Sequence, residues 1–112
     1  MLEEGIASPF ELARSLQSQV TQLLRSFDIH GLPTVERELL QAIKRHTADI
    51  RLDVRDYGMA ETKAEQDKAA AEMRTLLTAF DALIIQAGGF GLFGAVDVAH
   101  LSAITQQLKA SL

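Results

Sequence analysis

The sequence predicts an all-α fold, an antiparallel up-and-down four-helix bundle with a long central helical hairpin. Sixteen leucines and sixteen alanines stand against five valines and seven isoleucines. This balance favours helices, because β-branched side chains suit pleated sheets better. Four segments also carry apolar side chains at alternating spacings of three and four residues, the period of one helix face. Glycine and proline separate these segments.

Length and composition limit what the chain can be. Its 112 residues, 47% of them apolar, suit one helical-bundle domain over 1–112. The net charge of −4 gives no basic footprint for a phosphate backbone, so nucleic acid is not expected as a partner. The absence of cysteine excludes disulfides and thiolate metal sites and fits a reducing compartment. Residues 1–4 are acidic where a secretory signal needs a positive start, so we expect a cytoplasmic protein.

The first helix is predicted to begin at Pro9. Ser8 supplies a capping oxygen, proline loses nothing at this position because its missing N–H has no helical partner, and Glu11 can return the cap. The stretch from Asp28 to Pro33 contains two helix breakers and is predicted to connect to a second helix capped by Thr34. The predicted buried stripe of the first helix is Phe10, Ala13, Leu16, Val20, Leu23 and Phe27.

The second helix is predicted to run to Gly58, which supplies its stop. The stretch Asp49–Arg55 also alternates charged and apolar residues, which is the period of a half-buried strand. No suitable partner strand is present, so a helix is favoured and a strand remains the alternative. The predicted stripe is Leu40, Ile43, Thr47, Ile50, Val54 and Tyr57.

A third helix is predicted from about Ala60 to Ala87, with Met73, Leu77, Phe80, Ile84 and Ala87 on its buried face. Four glycines between Gly88 and Gly94 are predicted to end this helix by backbone entropy and to form the next connection. Asp97 is predicted to cap the last helix. Its buried stripe is Leu101, Ile104, Leu108 and Leu112.

The central hairpin is longer than the outer helices. At 1.5 Å per residue the middle helices reach about 34 and 42 Å, against about 28 and 22 Å for the outer pair. The outer pair is therefore not expected to cover the hairpin tip, and an uncovered apolar strip marks an interface. A two-fold homodimer is the expected partner arrangement. The predicted interaction surface is Ile50, Leu52, Val54, Tyr57 and Met59.

The first and third connections of an up-and-down bundle lie at the same end. The loop around His30 is therefore expected beside the glycine-rich loop, with the start of the last helix close by. Phe90 and Phe93 are predicted to plug this end of the bundle. The candidate pocket or partner loop at this end consists of His30, Phe90, Leu92, Phe93 and His100.

Two motifs suggest chemistry that the rest of the chain does not support. Residues 89–94 spell GxGxxG, yet the 18 residues after Gly94 leave no room for the second strand that a dinucleotide site needs. The 15 uncharged residues 82–96 are shorter than the roughly 20 that span a bilayer as a helix.

Metal and catalytic sites are not expected either. His46, Asp49 and Asp53 share a helix face, but no ExxH or HExxH pair accompanies them, so no metal or other cofactor is expected. No serine, histidine and acid combination forms a catalytic triad.

These observations favour a non-enzymatic protein-interaction module, a small adaptor or regulator that acts through helical self-association and partner binding. The alternative is a small-molecule binder or minor enzyme with a pocket between the His30 loop and the loop Gly88–Gly94. Whether the chain is an enzyme stays open at this point, although no residue combination indicates a reaction.

Overall fold

The computed structural model describes residues 8–112, and four α-helices contain most of them. A 3₁₀ turn, Ile29–Gly31, lies in the first connection. No strand occurs among these residues, and the ambiguous stretch Asp49–Arg55 is helical. The all-α prediction is confirmed. The helices are α1, Pro9–Arg25; α2, Thr34–Met59; α3, Lys63–Gly89; and α4, Ala95–Ala110.

Each helix packs against the next along the chain, and α4 closes the bundle against α1. Two contacts between each of two helix pairs indicate how the helices lie. Phe10 and Gln17 of α1 meet Gly58 and Arg51 of α2. Gly88 of α3 lies beside Val98 of α4, and Asp81 of α3 accepts a 3.0 Å hydrogen bond from Ser102 of α4. In both pairs the residue numbers rise along one helix as they fall along the other, which fits the predicted antiparallel bundle.

One hydrophobic cluster joins all four helices. The predicted stripes of α2 and α3 are buried in it, with Tyr57 half-buried at the edge. In α1 the prediction is partly wrong, since Phe10 is 46% exposed while Leu12 and Leu24 are buried. The reason is that α1 packs against both α2 and α4 and so buries a wider arc than one stripe.

Helix starts follow side-chain capping at two places. The Ser8 hydroxyl accepts a 3.2 Å hydrogen bond from the Glu11 amide, as predicted, and the Thr62 hydroxyl accepts one of 3.1 Å from the Glu65 amide. The cap at Thr62 places the start of α3 at Lys63, three residues later than the predicted Ala60.

Three predicted helix boundaries are wrong by a few residues. Pro33 takes the cap position before α2, so Thr34 is the first helical residue. Gly94 likewise precedes α4, and Asp97 lies in its first turn instead of capping it. Gly58 does not stop α2, because it is itself helical and α2 ends at Met59. Gly58 lies under the ring of Phe10, where a Cβ atom would collide with the ring carbons, so the glycine allows the two helices to approach closely.

The end of α3 corrects the prediction for the glycine-rich segment. Gly88 and Gly89 remain helical, and only Gly91 has a positive φ, of 75°. The Leu92 amide donates to the Ala87 carbonyl at 2.9 Å, and the Gly91 amide donates to the Gly88 carbonyl at 3.0 Å. This pair of bonds is a Schellman motif, which needs a left-handed residue at one position only. A single glycine therefore ends the helix.

The first and third connections meet at the same end of the bundle, as predicted. The rings of Phe27 and Phe93 lie with their centroids 6.2 Å apart and tilted by 52°. Phe93 is 3% exposed and closes this end. Phe90 is 50% exposed, so the prediction that it also plugs the bundle is wrong.

Candidate functional site

The position of α1 along α2 decides which part of the hairpin is covered. Phe10, near the start of α1, lies on Gly58 near the end of α2, and the 3₁₀ turn carries Ile29 alongside Lys44. The first helix therefore covers the far half of α2, toward the hairpin tip. Ile50 and Val54 are 0% and 4% exposed, so their predicted place on an uncovered strip is wrong.

Two cavities follow the line where α1 and α2 meet, with volumes of about 500 and 390 Å³. Gln17 and Ala48 line both cavities, which are therefore adjacent, and the two together are here named the α1–α2 groove. Its lining residues are Phe10, Ala13, Arg14, Gln17, Val20, Thr21, Leu24, Arg25, Ile29, Lys44, Thr47, Ala48, Arg51, Leu52, Val54 and Arg55.

The floor of the groove is apolar. Ala13, Val20 and Val54 belong to the core and reach the floor from α1 and α2. Two large apolar side chains lining the same groove are exposed to solvent, Phe10 at 46% and Leu52 at 55%. Exposed apolar side chains that lie together in a depression are typical of a binding surface, unlike single ones scattered over a protein.

The charged residues that line the groove within the described part of the chain are all cationic. Five of the eleven lysines and arginines of the chain line it, and among residues 8–112 no aspartate or glutamate lines either cavity. This concentration occurs in a chain whose net charge is −4. The cationic residues are Arg14, Arg25, Lys44, Arg51 and Arg55.

Within the described part of the chain, no carboxylate forms an ion pair with these cations. Among residues 8–112 the ion pair within 4.0 Å is Lys63–Asp67, on α3 and outside the groove. Arg51 instead donates from Nη1 to Oε1 of Gln17 at 2.6 Å, which leaves its positive charge uncompensated. The groove thus keeps positive charge available for a ligand.

Asp53 of α2 lies near Glu72 of α3. Asp53 is half-buried there, and burial raises the pKa of its carboxyl above 3.8, with smaller contributions in the same direction from Glu72, Asp56 and Asp49. Arg55 lies between these acids and the groove, because it also lines a cavity with Glu72.

The predicted interaction surface divides among three places. Leu52 is exposed and lies in the groove, whereas Tyr57 is half-buried and packs against the core. Met59 is 70% exposed at the end of the hairpin, beside a third cavity of about 400 Å³ with lining residues of both charges. Ile50 and Val54 belong to the interior of the bundle.

The predicted pocket lies where the first and third connections meet, and none of its five residues lines any of the three cavities. His30 is exposed in the 3₁₀ turn, and His100 is exposed on α4. Leu92 is half-buried against the core beside the buried Phe93. Phe90 lies at the end of α3, half in solvent.

Residues 8–112 contain no group of three or more histidine, cysteine, aspartate and glutamate side chains placed to hold a metal ion. No helix within this range has the length and apolar character needed to cross a membrane.

The sequence analysis did not predict the groove, although the sequence shows the cationic stripe that α2 contributes to it. Lys44, Ala48, Arg51 and Arg55 follow one another at spacings of four, three and four, which places three cations and no acid on one stripe of α2. The cations of α1 join this stripe only when the two helices pack side by side. That juxtaposition is a property of the fold.

The chain was compared with protein-family models, with curated proteins and with solved structures, and none of the three comparisons gives a match. A four-helix bundle supports many unrelated functions, so the fold by itself assigns none. The groove is therefore the feature from which a function can be inferred.

Proposed function

We propose that this chain is a non-enzymatic protein-interaction module, a small adaptor or regulator, that binds a partner protein in the α1–α2 groove. The observation that carries the proposal is the combination of an apolar floor, the exposed Phe10 and Leu52, and five cations with no lining carboxylate among residues 8–112. Aromatic and arginine side chains are enriched in protein interfaces and contribute most of the binding energy there. Both kinds of side chain are present in this groove.

The rigidity of the site supports the same proposal. The groove is built on two packed helices, and the Arg51–Gln17 hydrogen bond joins them across its middle. A surface held by regular elements loses little conformational freedom when a partner binds, and this raises the affinity that a given contact area can supply.

Site-specific photo-crosslinking in the cells that make the protein tests the proposal. A photoreactive amino acid replaces Leu52 in the groove, and the matched control places it at Ala79, an exposed position of α3 outside the groove. We expect discrete protein adducts from position 52 and none of the same mass from position 79. The absence of adducts at position 52, or identical adducts at both positions, overturns the proposal.

A second copy of the chain is the second candidate partner. Met59 is 70% exposed at the hairpin end and lies outside the groove, and two-fold pairs are the commonest soluble oligomers. We expect sedimentation to give twice the 12.3 kDa chain mass for the unchanged protein and the single mass for Met59→Glu. A single chain mass for the unchanged protein rejects the homodimer.

A further inference from the structure

We infer that the element bound in the α1–α2 groove is an acidic amphipathic α-helix of about three turns. This inference depends on the proposed function and names the chemistry of the partner. It follows from the length of the groove, the distribution of its charges and the position of its exposed apolar side chains.

The length of the groove sets the length of the occupant. On α2 the lining runs from Lys44 to Arg55, which is about 17 Å at 1.5 Å per residue. A helix of about eleven residues has the same length, and a helix laid between two others packs its side chains into the depression that they form. Recognition of a helix in a groove needs apolar anchors on one face of that helix, and Phe10 and Leu52 offer the surface for them.

The charge distribution requires an occupant with several negative groups. Arg25 and Lys44 line one end of the groove, while Arg14, Arg51 and Arg55 line the other. A fatty acid has one carboxylate at one end and would leave the cations of the other end unpaired. Carboxylates three or four positions apart on a helix form a row along its length and can pair with cations at both ends.

Single-stranded nucleic acid also carries charges along its length, but two features of the chain oppose it. The net charge of −4 repels a polyanion, and a strand that extends beyond the groove would meet the carboxylates of Asp49, Asp53 and Asp56 on the same helix. An acidic helix has a smaller charge, and its apolar face covers Phe10 and Leu52. The groove therefore fits the peptide better than the polynucleotide.

A second copy of the chain does not suit the groove itself. In a two-fold pair the same surface meets itself, so the cations of one groove would face those of the other. Like charges placed opposite each other weaken association and select against that partner. A homodimer through Met59 at the hairpin end leaves the groove free.

The experiment uses three synthetic peptides of about 15 residues and the full chain. The first is a helix with leucines on one face and glutamates along its flanks, the second has the same composition in an order without helical periodicity, and the third has lysine in place of every glutamate. Arg51→Glu with Arg55→Glu reverses two groove charges. Arg45→Glu with Arg74→Glu is the matched control, since both side chains are exposed cations outside the groove.

Fluorescence anisotropy at low salt measures each affinity. We expect the unchanged chain to bind the acidic helix about tenfold more tightly than either other peptide, and the groove variant to lose about tenfold. The control variant should change the affinity less than about threefold. The groove variant should bind the lysine peptide more tightly than the unchanged chain does, a gain that an unfolded variant could not show. Arg55→Glu alone, at an exposed position, replaces the double variant if circular dichroism shows that the latter is unfolded.

Each other outcome overturns the inference. Equal binding of the acidic helix and its aperiodic control rejects a helix, and equal binding of the acidic and lysine peptides rejects the charge argument. Tighter binding of a fatty acid or an oligothymidine than of the acidic helix identifies another class of ligand. Crosslinks from Leu52 together with no acidic-helix preference reject this inference and leave the proposed function standing.

Discussion

Nη1 of Arg51 in α2 lies 2.6 Å from Oε1 of Gln17 in α1, and this hydrogen bond joins the two helices at the middle of the α1–α2 groove. Gln17 lines both cavities, so a change at this position alters the groove as a whole. The amide also orients the guanidinium without cancelling its charge. A carboxylate in the same place would cancel it.

The change Gln17→Glu tests this relationship. The new carboxylate pairs with Arg51 and should raise the free energy of unfolding by at most about 1 kcal/mol, because the pair is exposed. It should weaken binding of an acidic helical peptide about threefold or more, since one groove cation is then neutralised. Gln22→Glu, at an exposed position of α1 outside the groove, adds the same charge as a control. Equal losses in both variants would show that only net charge matters.

Phe93 should contribute far more to stability than Phe90. Phe93 is 3% exposed and packs on Phe27, so Phe93→Ala removes a buried ring and should lower the free energy of unfolding by about 3–5 kcal/mol. Phe90 is 50% exposed, and Phe90→Ala should cost less than about 1 kcal/mol. Urea unfolding followed by circular dichroism measures both values. Similar losses in the two variants would contradict the assignment of Phe93 as the residue that closes this end.

The glycines at the end of α3 should respond in opposite ways. Gly91 has φ of 75°, so Gly91→Ala places a Cβ atom in the left-handed region and should destabilise the fold by about 1–2 kcal/mol. Gly89 is helical, and a Cβ atom added there would meet no other atom within 4 Å, so Gly89→Ala should stabilise the fold by about 0.5–1 kcal/mol. Thermal unfolding of the two variants provides the comparison. A stabilising Gly91→Ala would mean that the Schellman motif does not form.

Asp53 should make the fold less stable as the pH rises. Its pKa is raised in the folded state, mainly by burial and then by Glu72, so the folded chain binds more protons than the unfolded chain just above pH 3.8. The free energy of unfolding therefore falls as pH rises through that window, and the full penalty remains at neutral pH.

Asp53→Asn removes this penalty. The variant should be more stable than the unchanged chain at pH 7, and the difference should shrink to zero as the pH falls below the ordinary range of the carboxyl. Glu61→Gln, at an exposed position, controls for the loss of one negative charge. A stability difference for Asp53→Asn that does not change with pH would assign the effect to packing.

The features confirmed by the structure are those that depend on local spacing. The stripe from Met73 to Ala87 repeats at three and four residues, and every one of its members is buried. The cap at Ser8 needs only the three residues that follow it. Helix number, helix order and the meeting of the first and third connections follow from such patterns together with the parity of the bundle.

Features that depend on the relative placement of helices were not predictable in the same way. Ile50 and Val54 are buried because α1 packs along the far half of α2, with Phe10 of α1 lying on Gly58 of α2. The spacing of residues within α2 does not determine how far along the hairpin α1 extends. The groove combines residues of α1 and α2 that are about 20 to 45 positions apart in sequence, and no periodicity joins them. The stripe Lys44, Arg51 and Arg55 could have been noticed, yet its partner helix could not.

We propose that the α1–α2 groove is the binding surface of this chain. Backbone amide shifts of the isotope-labelled protein, recorded while the acidic helical peptide is added, test it most directly. The claim predicts shift changes over 10–29 and 44–55, with α3 and α4 residues facing away from the groove unaffected. Changes confined to α3 and α4, or none at peptide concentrations that saturate the anisotropy signal, would contradict it.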